Sequence, residues 1–250
     1  MNLWYFIWFY LWTAPHFLLL AVAVVMYRKG MHKTFPIFFS YLLFEFLEFC
    51  LLFMIPYLKV PVATYVKIDL VDRAGGIALH YGIFQELFEA PLAHSTALRR
   101  DAVRIMRWVT ITLIVLASLS IGTLYSSIFG HRFPQAYTIV ETLNAAQCGG
   151  LVLVFLWHRF LGLRMSSFVF GIAFGMGLVV GFEPLMLALK TLVAVPSGRI
   201  VDIASMIAYH VAVLIWLFYA QAREKNPSIS DAALPQLIEQ AADMGRIVHL

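Results

Sequence analysis

Charged residues are scarce in this chain of 250 residues. They make up 13% of the sequence, whereas hydrophobic residues make up 62% and the mean hydropathy is +0.83. Soluble domains average about a quarter charged residues and about half apolar ones. The composition therefore indicates an integral membrane protein. The formal net charge of +4 does not indicate a nucleic-acid partner, because the basic residues form short clusters between apolar runs.

Cysteine pairs and the common catalytic motifs are also missing. Only Cys50 and Cys148 occur, both in apolar runs, so there is neither a disulfide framework nor a CxxC motif. The sequence has no P-loop, no glycine-rich dinucleotide motif and no GxSxG. The last apolar segment lacks both a lysine for a retinal Schiff base and the HxxxH pair of a membrane metal hydrolase. These absences favour a function without catalysis.

What the chain does contain is a series of apolar segments long enough to cross a bilayer. A hydrocarbon core of about 30 Å needs about 20 helical residues. Seven segments meet that length: 3–27, 34–58, 65–91, 108–129, 135–158, 167–189 and 199–222. We predict an all-α bundle of seven transmembrane helices, which forms a single domain over residues 1–225. Residues 226–250 are predicted to form a cytoplasmic tail with a short amphipathic helix.

The distribution of lysine and arginine predicts the orientation of these segments. Twelve of these residues fall on the side of the C-terminus and five on the side of the N-terminus. Because cytoplasmic loops are richer in Lys and Arg, we expect the N-terminus outside and the C-terminus in the cytoplasm. That arrangement needs an odd number of spans. We expect a multi-pass protein of the plasma membrane, and the small loops favour a bacterial inner membrane.

The third segment carries a polar stripe. Asp69, Asp72, Arg73 and His80 fall within an arc of about 100° on a helix. Asp69 and Arg73 are four residues apart and can pair. A charge at the bilayer centre costs about 2.5–3.5 kcal/mol on insertion scales, so this stripe should face the interior of the bundle. Glu86, near the cytoplasmic boundary, is expected to snorkel or to pair with the arginines that follow the segment.

Other segments carry intramembrane polar residues as well. The further candidates for ligand binding or proton handling are Glu45, Glu48, Glu141, Asn144, Glu183, Asp202 and His210. Many of these groups belong to the outer half of the predicted bundle. This asymmetry predicts a water-accessible cavity open to the outside. The alternative is that these groups only hydrogen-bond to one another and hold the helices together.

Three histidines lie near the middle of their segments, namely His16, His80 and His210. Imidazole is a ligand for Zn, Cu and Fe, so a metal or haem cofactor is chemically conceivable at this depth. None of the three belongs to a paired ligand motif, so the cofactor is not favoured over hydrogen bonding between helices.

Three hypotheses for function follow. The first is a receptor-like or sensory protein that binds a small-molecule ligand in the outer cavity. The second is a proton-coupled transporter. The third is a haem- or metal-binding membrane enzyme or electron-transfer subunit, or a structural subunit of a membrane complex. The expected partners are the lipid bilayer, a small ligand, and a second copy of the chain or a larger membrane complex, but no nucleic acid.

Overall fold

The computed structural model describes residues 3–58, 60–90, 146–156, 166–193 and 198–222, with a few isolated positions between 104 and 115. Its helices are α1 (Leu3–Arg28), α2 (Pro36–Leu58), α3 (Val62–Glu89), α4 (Ala146–Leu156), α5 (Ser167–Val193) and α6 (Gly198–Gln221). No strand occurs in these ranges, and the all-helical prediction is confirmed for them. Most of the predicted segment 108–129, both ends of 135–158 and the tail 226–250 lie outside the described residues.

Three of the helices are long and apolar enough to cross a membrane by length and composition. These candidate spans are Trp4–Arg28 in α1, Pro36–Ile55 in α2 and Val201–Gln221 in α6. Side chains on the outer surface of the bundle, such as Phe17, Leu51 and Phe218, are large, apolar and uncovered by protein. Such a surface is compatible with contact to the acyl chains of a bilayer.

The packing of the bundle joins helices that are distant in sequence. α1 lies against both α2 and α6, α2 lies against α3, and α5 lies against α6. Trp216 of α6 is fully buried at the centre of the core, with its ring edge-on to Phe38 and Tyr41 of α2. The core therefore brings the first, second and last described helices to one point.

The ends of the helices are tied together by hydrogen bonds. Lys29, just after α1, donates to the backbone oxygens of Ala220 and Gln221 at 2.6 and 2.9 Å. The last carbonyl groups of a helix lack partners within the helix and attract cations. Lys29 therefore caps the end of α6, and the C-terminal ends of α1 and α6 lie on the same side of the bundle.

Glu86 of α3 caps the N-terminus of a helix, whereas Lys29 caps a C-terminus. Its carboxylate accepts hydrogen bonds from the backbone N–H groups of Ile37 and Phe38, the latter at 2.9 Å. Pro36 opens α2, a position where its missing N–H costs nothing. The next two amides have no acceptor within the helix. The sequence suggested that Glu86 snorkels or pairs with the arginines that follow the segment. In the structure its carboxylate lies at the N-terminus of α2, and those arginines lie outside the described residues.

Individual side-chain contacts between helices give the direction of α4 and α5. Gln147, early in α4, contacts Ile77 and His80, while Gly150 lies against Phe84. Since later residues of α4 meet later residues of α3, the two helices run in the same direction. At the start of α5, Phe168 packs edge-on against Phe35, which immediately precedes α2, with the ring centroids 5.4 Å apart.

Candidate functional site

A cavity of about 430 Å³ lies between the helices near their mid-lengths. Residues of α1, α2, α3, α5 and α6 line it, and Gln147 of α4 completes the wall. Small-molecule sites have volumes of about 300–1,000 Å³. The cavity thus has the size of a small-ligand site.

The polar stripe of α3 forms one wall of this cavity. Asp69, Asp72, Arg73 and His80 all line it, together with Gly76. Nε of Arg73 donates to the Asp69 carboxylate at 3.2 Å, across one turn of the helix. Gly76 has nothing within 4 Å of the position that a Cβ would occupy. The stripe therefore faces the cavity. It carries the Arg73–Asp69 ion pair, and the space beside Gly76 is empty.

Carboxyl groups of α2 form a second wall of the cavity. The Tyr209 hydroxyl of α6 donates to the Glu45 carboxylate at 3.1 Å, and the buried Tyr41 lies beside the same carboxylate. Glu48 and Asp72 are neighbours across the α2–α3 interface. Two ionised carboxylates at such close range repel each other. A proton or a cation bound between them would relieve that repulsion.

His80 belongs to a short hydrogen-bond chain between α3 and α4. Its Nδ1 lies 2.9 Å from Oε1 of Gln147, and the amide nitrogen of Gln147 faces the Ile77 carbonyl at 3.5 Å. Because Oε1 can only accept, Nδ1 of His80 carries the proton in this arrangement. Nε2 is then an acceptor, and it is buried without a hydrogen-bond partner among the described residues.

His16 lines the cavity from α1 in a similar tautomer. Its Nδ1 lies 2.8 Å from the Trp12 carbonyl, which can only accept. Its ring stacks on Phe49 with the centroids 4.3 Å apart. Trp12 also lines the cavity and contacts Phe49. The α1 wall therefore presents a fixed imidazole and aromatic surface.

The structure brings six of the predicted site residues to the cavity: Glu45, Glu48, Asp69, Asp72, Arg73 and His80. Asp202 is exposed and does not line it. His210 is half-buried outside the lining, with its ring tilted against Tyr10 and its Nδ1 unpartnered in the described part of the chain. Glu141 and Asn144 lie outside the described residues. Glu183 is part of α5, but its side chain lies outside the description.

Several cavity residues were not among the predicted site residues. From the sequence we selected His210 instead of Tyr209, the residue before it. The two side chains point about 100° apart on the helix, so only Tyr209 reaches the cavity. Gln147 comes three residues after the predicted Asn144 in the segment 135–158, a spacing that puts both on one face of a helix predicted there, and this spacing is the signal that could have identified it. Trp12 gave no such signal, because aromatic residues are abundant throughout the chain.

The arrangement of the histidines bears on the metal and haem hypotheses. His16 and His80 line the cavity, whereas His210 does not. Within the described ranges, no group of three or more His, Cys, Asp and Glu residues is arranged to hold a metal ion. The chemistry that the cavity offers is that of carboxyl groups, two imidazoles, phenols and one guanidinium.

Comparisons with protein-family models, with curated proteins and with solved structures found no match to this chain.

Proposed function

We propose that the chain is a receptor-like, seven-span protein of the plasma membrane that binds a small ligand in this cavity. The observation that carries the proposal is the cavity itself. Its two walls are built from ionisable side chains of α2 and α3 in the middle of helices otherwise dominated by apolar residues. Intramembrane ionisable residues are costly, so their convergence on one cavity favours a function for them.

The directions of the helices support an odd number of spans. The ends of α1 and α6 are joined by Lys29, the end of α3 meets the start of α2 through Glu86, and the start of α5 meets the residue before α2. The chain therefore leaves α3 and enters α5 on the same side of the bundle. An even number of crossings between them satisfies this geometry.

The direction of α4 supports two crossings in that interval. α4 runs parallel to α3, so one earlier crossing in the opposite direction is required before it. The apolar segment 108–129 is long enough to supply that crossing. Together with α1, α2, α3, α5 and α6, this gives the seven spans of the proposal. The excess of Lys and Arg on the side where α1 ends favours that side as the cytoplasm, and the small loops favour a bacterial membrane.

A cavity-filling substitution tests ligand binding. We expect Gly76→Phe to abolish the ligand-induced rise in the Tm of the purified full-length protein in detergent, because Gly76 opens onto the cavity without contacting a neighbour. A compound at about 100 times its Kd stabilises a protein by about 2.7 kcal/mol, which corresponds to several degrees. The measurement is a thermal-shift screen of small molecules covering cations, anions and neutral compounds.

Gly177→Phe is the matched control. Gly177 also has nothing within 4 Å of an added Cβ, but it does not line the cavity. The Gly177→Phe protein should respond to ligands as the unsubstituted protein does. If Gly76→Phe keeps the same response, or if no compound of any charge class raises the Tm, the proposed function is wrong.

The Glu48–Asp72 pair favours a second candidate, a proton-coupled transporter. Neighbouring carboxyl groups titrate together and can take up or release a proton as a bound cation leaves or enters. Sealed vesicles containing the purified protein distinguish this candidate from a receptor. Solute uptake coupled to proton movement, lost on Glu48→Gln and retained on Asp202→Asn, would favour transport. Ligand binding without any flux would favour the receptor.

A further inference from the structure

We propose that the ligand of this cavity is a small organic cation with at least one N–H group, such as a protonated amine. The inference rests on the proposed ligand-binding function and adds the chemical class of the ligand. Three independent features of the cavity lead to it: the balance of charge, a buried acceptor without a partner, and the aromatic part of the lining.

The balance of charge favours a cation. Glu45, Glu48, Asp69 and Asp72 line the cavity, whereas Arg73 is the one guanidinium or ammonium group in the lining that the structure describes. Arg73 is already paired with Asp69. An ammonium group placed near Glu48 and Asp72 would make charge-assisted hydrogen bonds and relieve the repulsion between them. A carboxylate or phosphate in the same place would add to that repulsion.

The acceptor on His80 favours an N–H over a quaternary ammonium group. Since Nδ1 of His80 is committed to the Gln147 oxygen, its Nε2 is left with a lone pair. That atom is buried and has no partner in the described residues. Leaving a buried acceptor unsatisfied costs about 1–3 kcal/mol. His80 lines the cavity, so a ligand N–H that reaches Nε2 would satisfy it, whereas a trimethylammonium group has no hydrogen to donate.

The remaining lining suits the organic part of such a ligand. Trp12, Tyr41 and Tyr209 bring aromatic side chains to the cavity, and cations are attracted to aromatic faces within about 6 Å of the ring centre. Leu178 and Val179 of α5 add aliphatic surface. A volume of about 430 Å³ accommodates a small amine with a short apolar chain or a single ring, which sets the size of the probes.

The test compares probes that share the phenethyl group and differ only in the polar group attached to it. We would titrate phenethylammonium, its N-trimethyl derivative, 2-phenylethanol and 3-phenylpropanoate, with the equivalent n-alkyl set, into the purified full-length protein in detergent. The readouts are Kd by calorimetry and the shift in Tm. We expect the ammonium probes to bind about tenfold or more tightly than the matched alcohols and trimethylated cations, and the carboxylates to bind weakest.

Charge-removing variants locate the interaction. Asp72→Asn and Glu48→Gln keep the shape of the side chains, and each should weaken ammonium binding by about tenfold. Asp202→Asn removes the same charge from an exposed position outside the cavity and should leave the Kd unchanged. His80→Leu should reduce the preference for the ammonium over the trimethylated probe. The Tm of each variant without probe verifies that it is folded.

The outcomes separate this inference from the proposed function. If the alcohols or carboxylates bind as tightly as the ammonium probes, and Gly76→Phe abolishes their binding, the cavity binds ligands but the cation proposal is overturned. If Asp202→Asn weakens binding as much as Asp72→Asn, the attraction comes from surface charge and the cation proposal is again overturned. If no probe of any class binds, both proposals fail.

Discussion

At the scale of single residues, Glu86 shows how a half-buried carboxylate can hold two helices together. It accepts the two N–H groups at the start of α2 from a position near the end of α3. A negative charge at a helix N-terminus is favoured by the helix dipole. The contact fixes the relative height of α2 and α3, and with it the level at which Glu48 lies beside Asp72.

We expect Glu86→Ala to destabilise the protein by about 1–3 kcal/mol, because two backbone donors lose their acceptor. The measurement is the Tm of the purified protein in detergent. Gln85→Ala is the control on the same helix, since the exposed Gln85 donates an exposed hydrogen bond to Glu89, a kind of contact worth little. Equal losses in the two variants would contradict the capping role of Glu86.

Asp72 and Asp202 illustrate what the sequence could not decide about single residues. Both are aspartates that the sequence placed in the outer half of apolar segments, yet Asp72 lines the cavity and Asp202 is exposed. Helical periodicity determines which residues share a face. It does not determine which face meets the neighbouring helices, so the two aspartates could be separated only by the packing.

At the scale of helices, the contact between α5 and α6 depends on glycine. A Cβ on Gly171 would come within 2.6 Å of the Cβ of Tyr219, and a Cβ on Gly175 would overlap the indole of Trp216. The indole Nε1 of Trp216 also donates to the Ile172 carbonyl at 3.4 Å. The two glycines thus let α6 place its largest buried side chain against the backbone of α5.

We expect Gly175→Ala to destabilise the bundle by about 1–3 kcal/mol, because the added methyl group has no room beside Trp216. The measurement is the Tm of the purified protein. Gly177→Ala, on the same helix but with nothing within 4 Å of the new Cβ, should be neutral or stabilise the helix by up to about 1 kcal/mol. A tolerated Gly175→Ala would contradict this close packing.

The glycine spacing in α5 was visible in the sequence, but the sequence did not show which glycines pack against another helix. Two pairs of glycines four residues apart, Gly171 with Gly175 and Gly177 with Gly181, are equally suited to close helix contact. The structure places aromatic rings of α6 against the first pair, while an added Cβ in the second pair would meet nothing within 4 Å. The difference arises from the side chains of the partner helix, which spacing within α5 does not encode.

At the scale of the whole molecule, the proposed seven-span topology makes a prediction about accessibility. We would replace Cys50 and Cys148 by alanine and introduce single cysteines at His32, Val60 and His131. A thiol reagent that does not cross membranes should label the Val60→Cys and His131→Cys proteins in intact cells. It should label His32→Cys only after permeabilisation, because that connection lies on the side where α1 ends.

His131 is the decisive position, since it belongs to the proposed connection between the crossings 108–129 and 135–158. Labelling of His131→Cys only after permeabilisation would contradict two crossings between α3 and α5. If His32→Cys is labelled in intact cells, and Val60→Cys and His131→Cys only after permeabilisation, the seven spans stand but the orientation derived from the Lys and Arg distribution is reversed.

The sequence by itself determined that this protein is helical and suited to a membrane, and it identified the polar stripe of α3. These properties depend on composition, segment length and periodicity, which are local and additive along the chain. It also supplied most of the ionisable residues of the cavity, because charges within apolar segments are conspicuous.

Only the tertiary structure decided which of those residues meet. It joined Glu48 to Asp72, gave Glu45 its partner Tyr209, and set His80 against Gln147, a residue 67 positions away. It also left Asp202 and His210 outside the cavity. The reason is that a helix can pack against its neighbours through more than one face. Its rotation about its own axis, which decides the face that lines the cavity, depends on where bulky side chains such as Trp216 fit against glycine on a neighbouring helix.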